Sequence, residues 1–314
     1  YAVGLNSGYD ALHMSLRAAG IGTGDEVVVP AHTFVATCSA VVNVGAMPVL
    51  VDVLPDFNID PSKIEKAITP QTRAIIPVHL NGYMADMVSV MAIAQRYNLT
   101  VIEDACQSLG SRMLDKKAGS WGLTGCWSFY PFKILGGYGD GGAITTDDPE
   151  VARFATLMRY NGEDRETGEY HGHGFTCLLD NLQAAFLDIK LRHLPKWIER
   201  RREIAEKYRS ALHDLPDLTL PHYDDPRRDH VYQNYVIRAK QGEDFSSYLR
   251  ENRIEVLTQF RKPYYKHQRL ILSNSGFPET EALSAEVCSL PMNVEITDDE
   301  IDYVINTIRR FYSK

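Results

Sequence analysis

The chain has 314 residues, 44% hydrophobic and 24% charged, enough for one large core with a smaller unit appended. Its formal net charge of −8 argues against nucleic acid or an anionic membrane surface as the main partner. No apolar run is long enough to span a bilayer, and the five scattered cysteines (Cys38, Cys106, Cys126, Cys177 and Cys288) form no CxxC pair, so they read as reduced thiols of a cytoplasmic protein.

In chain order, Asn6-Ser7-Gly8 supplies start signals for a helix over Asp10–Ala19, which Gly20 closes. Short apolar runs at Glu26–Pro30, Pro48–Val53, Ala74–Val78 and Leu99–Glu103 read as buried strands. Helices at Thr33–Val44, Pro61–Ala67 and Met84–Tyr97 separate them. Strands alternating with helices imply βαβ units and a mainly parallel central sheet flanked by helices, an α/β fold. A strand at Ala143–Thr146 and a helix at Pro149–Arg159 follow. Asn161–Gly174 lacks periodicity and reads as a long polar loop. Its His171 and His173 have no carboxylate or cysteine partner at useful spacing, so no metal is expected there. Leu179–Leu212 reads as helix broken near Pro195, and Leu215–Pro221 as a boundary. Strand Val231–Ala239, helix Phe245–Asn252, strand Ile254–Thr258 and helix Asp298–Tyr312 then suggest a smaller α+β unit. The expected division is residues 1–214 and 215–314. The chain opens at Tyr1 without a methionine, which reads as a processed or partial chain.

The chemistry centres on Lys133, in Ser128-Phe129-Tyr130-Pro131-Phe132-Lys133, followed by a glycine-rich run, Gly136–Gly142. An amine set among aromatic residues is expected to have a lowered pKa and to act as a nucleophile of the Schiff-base type. Open parallel sheets bind ligands beyond the carboxyl ends of their strands. There the sequence places Asp104 and Gln107, and the loop that carries Phe34. Gly8 offers bare amides at a helix N-terminus, which suits a phosphate, and Ser128 offers a hydroxyl. Pyridoxal 5′-phosphate uses all of these together. It needs a lysine for the Schiff base, a carboxylate at the pyridine nitrogen, an aromatic face, a donor at the ring hydroxyl, and amides and hydroxyls for the phosphate. Singly, each residue also fits a plain role: surface lysine, strand-end cap, core phenylalanine or tight-turn glycine.

The stretches NSGYDAL (Asn6–Leu12), GTGDEVVVPAHTFVAT (Gly22–Thr37), AIIPVHLNG (Ala74–Gly82), VIEDACQ (Val101–Gln107), SFYPFKILGGYGDGG (Ser128–Gly142) and Gln183–Ala185 resemble the DegT/DnrJ/StrS sugar aminotransferases, of the fold-type-I class. The resemblance implies a large cofactor domain with a smaller C-terminal one. It implies Lys133 as the Schiff-base lysine and proton shuttle, Asp104 at the pyridine nitrogen and Gln107 at the ring oxygen. Phe34 would stack on the ring, with Gly8 and Ser128 at the phosphate. It further implies amino transfer from glutamate to a keto sugar nucleotide, and a homodimer with shared active sites. Related dehydrating enzymes carry histidine at the lysine position, so Lys133 favours transamination. A lyase or dehydratase reaction on a sugar, and a regulatory protein without catalysis, remain as alternatives.

Several positions depart from the family pattern. Tyr9 stands where a phosphate-binding threonine is usual. Thr176 stands where an asparagine reaches the partner's phosphate, and Leu178 where an arginine holds an acidic group. Asn81 replaces the tyrosine of Leu-Tyr-Gly, and Gln259-Phe260-Arg261 replaces His-Tyr-Pro. The family usually carries a further N-terminal segment than this sequence shows. Arg261, or Arg159 beside the Asn161–Gly174 loop, is a candidate replacement for the missing arginine, and the plainer reading of each is a surface salt bridge.

Overall fold

The computed structural model describes residues 1–221, 225–258, 260–268, 270 and 276–313. The elements run β1 (Ala2–Leu5), α1 (Gly8–Ala18), β2 (Glu26–Pro30), α2 (Val35–Asn43), β3 (Met47–Val51), α3 (Pro61–Ala67), β4 (Thr72–Ile75), α4 (Met87–Tyr97) and β5 (Thr100–Asp104). A small hairpin, β6 (Arg112–Met113) and β7 (Lys116–Lys117), precedes β8 (Thr124–Ser128), β9 (Gly142–Thr145), α5 (Pro149–Met158), α6 (Asn181–Leu191) and α7 (Leu194–Leu212). The chain continues through β10 (Leu218–Thr219), β11 (Tyr235–Ala239), α8 (Gly242–Glu251), α9 (Pro278–Glu286), β12 (Val287–Leu290) and α10 (Asp298–Tyr312). Ser7, Asp60, Asp86 and Asp148 cap α1, α3, α4 and α5 through their side chains. Each such cap contributes about 1 kcal/mol and fixes where its helix begins.

The central sheet has seven strands in the order β1-β9-β8-β5-β4-β2-β3. Strands β3, β2, β4, β5 and β8 run parallel, while β9 pairs antiparallel with both β8 and β1. Alternation along β2 feeds two cores. Val27 and Val29 pack with Leu12, Leu16 and Val41 of α1 and α2. Val28 faces the other way, onto Ile64, Met87 and Val90 of α3 and α4. A separate three-stranded sheet, β10-β11-β12, carries its own core of Ile237, Phe245, Leu249, Leu290, Val304 and Ile308.

That second core begins upstream of residue 215, because Ile204, Tyr208 and Leu212 of α7 belong to it. In return Tyr264, Tyr265 and Phe277 join the larger core. Asp52, just past β3, fastens the two bodies. Its carboxylate accepts from the Glu279 and Thr280 amides at 3.2 and 2.9 Å and from Thr280 Oγ1 at 2.8 Å. Asp52 thus supplies the cap that Phe277, at the start of α9, lacks. Burial pushes the Asp52 carboxyl up, but donors from Thr280, Lys63 and Val53 outweigh it and hold it below the usual value.

Several elements differ from expectation. The Val231–Ala239 run is strand only from Tyr235, and Ile254–Thr258 forms no strand but one bridge, Leu257 to Ser289. Strands β1, β8 and β12 and helix α9 had no clear local signal. Among the described residues no helix is long and apolar enough to cross a membrane.

Candidate active site

Asp104 closes β5, and both of its backbone groups are held. Its amide donates to Pro77 O at 2.9 Å, and its carbonyl accepts from His79 N at 3.0 Å. The preceding Glu103 accepts from the amides of Gly119, Trp121 and Gly122 and pairs with His79 at 2.9 Å, which pins the strand end from behind. The Asp104 carboxylate is buried. Thr37 Oγ1 donates to its Oδ2 at 2.9 Å, and the Cys106 amide to its Oδ1 at 3.3 Å. Thr37 has one hydroxyl proton and gives it to Asp104, so at its 3.0 Å contact with Thr33 Oγ1 it accepts. The result is a directed pair of hydroxyls, Thr33 to Thr37 to Asp104. The same helical turn begins at Phe34, whose ring is 57% exposed and lies 6.4 Å from that of Phe260.

Gln107 accepts from the Asn81 amide through Oε1 at 2.9 Å, which leaves its NH2 group as the donor. Asn81 lies in the left-handed region at φ 59°, and a Cβ on Gly82 would fall 2.7 Å from Gln233 N. This turn is therefore tightly docked.

Lys133 is half-buried, and its amide donates to Tyr130 O at 2.8 Å. The aromatic enclosure expected around it does not come from its neighbours. Tyr130 and Phe132 turn outward and pack edge-on at 5.6 Å, leaving Phe132 80% exposed. Lysine and aspartate nonetheless both act electrostatically on one thiol. The Cys106 thiol, pushed well above its usual pKa chiefly by burial, is raised further by the charge of Asp104 and lowered by that of Lys133. Behind the lysine, Gln183 of α6 holds the glycine-rich loop by accepting from the Tyr138 amide at 2.8 Å.

Gly8 opens α1 beside this cluster. A Cβ there would fall 2.7 Å from Cys106 Sγ and 2.8 Å from Ser128 Cβ, so only glycine lets the helix end approach. The Gly8 and Tyr9 amides lie in the first turn, where a helix offers them no carbonyl partner. The Tyr9 phenol is occupied elsewhere. Its oxygen accepts from Asn43 Nδ2 at 2.6 Å, and its ring stacks on His13, so the phenol is anchored on α2 and the backbone amide is what Tyr9 adds to the helix end.

Thr176 is not brought to this cluster. It is exposed, it bridges Tyr160, and its hydroxyl donates to Asn161 Oδ1 at 3.1 Å. Leu178 pairs with Leu5. Arg159 lies against the same segment, with its guanidinium on Gly4 O at 2.8 Å. Arg261 is spent on α8, donating to Gly242 O and Ser246 Oγ at 2.9 and 3.0 Å. Gln259 lies outside the described residues. Among the described residues no three His, Cys, Asp or Glu side chains converge to hold a metal, and His171 faces only Asp164 at 3.9 Å.

The donor set fits pyridoxal phosphate. A buried carboxylate takes donors from one side chain and one amide, the Gln107 NH2 remains as a donor, a helix end is cleared of side chain at Gly8, and Lys133 supplies a primary amine. The residues that sequence reasoning did not single out are Thr33, Thr37 and Gln233. The four-residue spacing of the two threonines after β2 is the one local signal that pointed to them.

The profile of the DegT/DnrJ/EryC1/StrS aminotransferase family matches residues 1–309. A pleiotropic regulatory protein of Geobacillus stearothermophilus is 40% identical, over 99% of this chain and 85% of its own. The dTDP-3-amino-3,6-dideoxy-alpha-D-galactopyranose transaminase of Aneurinibacillus thermoaerophilus is 41% identical, again over 99% and 85%. The solved structure of DesV from S. venezuelae superposes with a TM-score of 0.96 at 39% identity, covering 100% of this chain and 85% of that one.

Proposed function

This chain belongs to the DegT/DnrJ/EryC1/StrS aminotransferase family, and we propose that it uses pyridoxal 5′-phosphate to move an amino group from L-glutamate to a keto group on a nucleotide-linked sugar. The observation that carries the reading is the buried Asp104 carboxylate, held by Thr37 and the Cys106 amide, beside the end of α1 that Gly8 clears against Cys106 and Ser128, on the chain that leads to Lys133. The transaminase named for the 41% identical relative supports the substrate class.

When bound, pyridoxal phosphate supplies a ring that accepts electrons from the bond broken next to nitrogen. Asp104, turned by Thr37, holds a proton at the pyridine nitrogen, and the Gln107 NH2 donates to the ring oxygen. The Gly8 and Tyr9 amides and the Ser128 hydroxyl take the phosphate. Phe34 offers its exposed ring as the covering face. Lys133 Nζ takes and returns the proton in each half of the transfer.

Thr176 acts at the site of a second copy, since its own chain leaves it exposed. A homodimer is supported by the apolar rim of Phe132, Tyr138, Leu182 and Ile189, all more than half exposed. Residues 1–214 and 215–314 form the two domains, with the C-terminal half of α7 packing into the core of the second. The reaction belongs in the cytoplasm, in keeping with five free thiols, four of them buried.

The test is release of 2-oxoglutarate from L-glutamate by the protein loaded with pyridoxal phosphate, with Lys133→Ala as control. Release by wild type alone supports the reading. Cofactor held by Lys133 with no turnover of any amino donor would favour a regulatory protein, the role named for the 40% identical relative. Cofactor turnover without amino transfer would favour a lyase or dehydratase.

A further inference from the structure

Lys133 is gripped from the other domain. The buried side chain of Gln233 reaches both sides of the lysine: its Nε2 donates to Phe132 O at 2.8 Å, and its Oε1 accepts from the Ile134 amide at 2.9 Å. One side-chain amide therefore spans the carbonyl before the lysine and the amide after it. The neighbouring residues grip the second ligand-facing group. Val231 N donates to Gly82 O at 3.0 Å, and Asn234 Nδ2 donates to Asn81 Oδ1 at 3.2 Å. Asn81 in turn holds Gln107.

The segment itself is locked to the C-terminal body. Arg201 of α7 is buried and donates to the carbonyls of Tyr232, Gln233 and Met292 at 2.9, 3.3 and 2.9 Å. Tyr232 sits in the left-handed region at φ 50°, a conformation a tyrosine adopts only when its surroundings impose it. Immediately beyond, Tyr235 starts β11.

We propose that Gln233 is a positioning residue for Lys133, and that residues 231–234 are a strap through which the docking of the C-terminal domain sets the geometry of Lys133 and Gln107. A lysine that must reach both a cofactor carbonyl and a substrate proton depends on sub-ångström placement, and a main chain held on both sides of it supplies that. The strap makes reactivity at Lys133 sensitive to how the second domain sits. The proposal rests on the aminotransferase reading for the role of Lys133.

The test compares wild type with Gln233→Met, which removes both bonds, and Gln233→Glu, which keeps an acceptor for the Ile134 amide and loses the donor to Phe132 O. Two properties are read on the cofactor-free protein. One is the rate at which added pyridoxal phosphate becomes attached at Lys133, trapped by borohydride and located by mass spectrometry. The other is hydrogen exchange at the Ile134 amide. Gln233→Met is expected to slow capture about tenfold and to speed Ile134 exchange, with Gln233→Glu intermediate in capture and near wild type in exchange. If Gln233→Met does not fold, Gln233→Glu decides alone, with capture slowed about threefold. Wild-type capture rates in every folded variant overturn the proposal and leave the aminotransferase reading standing. Failure of the wild type itself to capture pyridoxal phosphate at Lys133 overturns both.

Discussion

The inner floor of the site and its rim are built differently. On the floor, Asp104, Gln107 and Lys133 each have their placement fixed by hydrogen bonds from residues far away in sequence: Thr37, Asn81 and Gln233. On the rim, Phe34, Phe132, Tyr138 and Thr176 stand exposed, and Tyr9 and Arg261 spend their polar groups on nearby protein. The departures from the family pattern fall mainly on the rim. Chemistry common to a family needs a pre-organised floor, whereas choice of donor and acceptor can be varied at surfaces that carry little of the folding energy.

The contrast can be broken by acid, by bulk, by loss of a bond, and by a change at the rim. His32 is buried against Phe57, Phe260 and Ser284, and burial lowers its pKa to about 4, partly opposed by Asp52. A folded value below the ordinary histidine value of 6.5 means the fold prefers the neutral ring. That stability is complete above the unfolded pKa and drains away as pH falls towards 4, by up to about 3 kcal/mol. Urea midpoints from pH 7 to pH 4.5 should therefore fall less steeply in His32→Gln than in wild type; parallel slopes would show that other groups carry the acid sensitivity.

Gly8→Val should cost about 1–3 kcal/mol of stability and weaken pyridoxal phosphate binding by about a hundredfold, because the added carbons meet Cys106 and Ser128. Equilibrium titration of the cofactor measures this, and wild-type affinity would mean that the helix end is not the phosphate seat. Thr37→Val keeps the shape and removes the donor to Asp104. A loss of about 1 kcal/mol, or roughly fivefold in cofactor affinity, is expected, with recovery in Thr37→Ser. At the rim, Arg261→Ala should leave the KM for glutamate within about twofold, since its guanidinium already serves α8. A tenfold rise would instead make Arg261 the replacement for the arginine absent at Leu178.

Much of the floor could be read from the chain, because buried parallel strands announce themselves. Glu26–Pro30 and Pro61–Ala67 appear with the bounds their patterns suggest, and Asp104 sits where strand-end logic puts it. Strand β8, Thr-Gly-Cys-Trp-Ser, lacks a β-branched run and gives no such signal. Val231–Asn234 has strand-like composition, yet Tyr232 at φ 50° bends it into the strap. The grips on Asp104 and Lys133 were illegible for another reason. A hydrogen bond between residues 67 or 101 positions apart leaves no periodicity in either segment. The direction of Tyr9 escaped for the same reason, since only the fold brings Asn43 to it.

Strand β1 pairs with β9, so that Ala2 lies opposite Thr145. One edge of the sheet is completed by a contact between distant parts of the chain, and Gly8, three residues past β1, meets Ser128 of β8 across a similar separation. Contacts of such long sequence separation are entropically expensive to form early and tend to be completed late in folding. On a ribosome, residues 2–5 must wait unpaired until β9 has emerged. The phosphate seat is thus among the last parts of the molecule to exist, and the cofactor is poised to act as a late checkpoint, binding finished chains and drawing the folding equilibrium towards them by mass action.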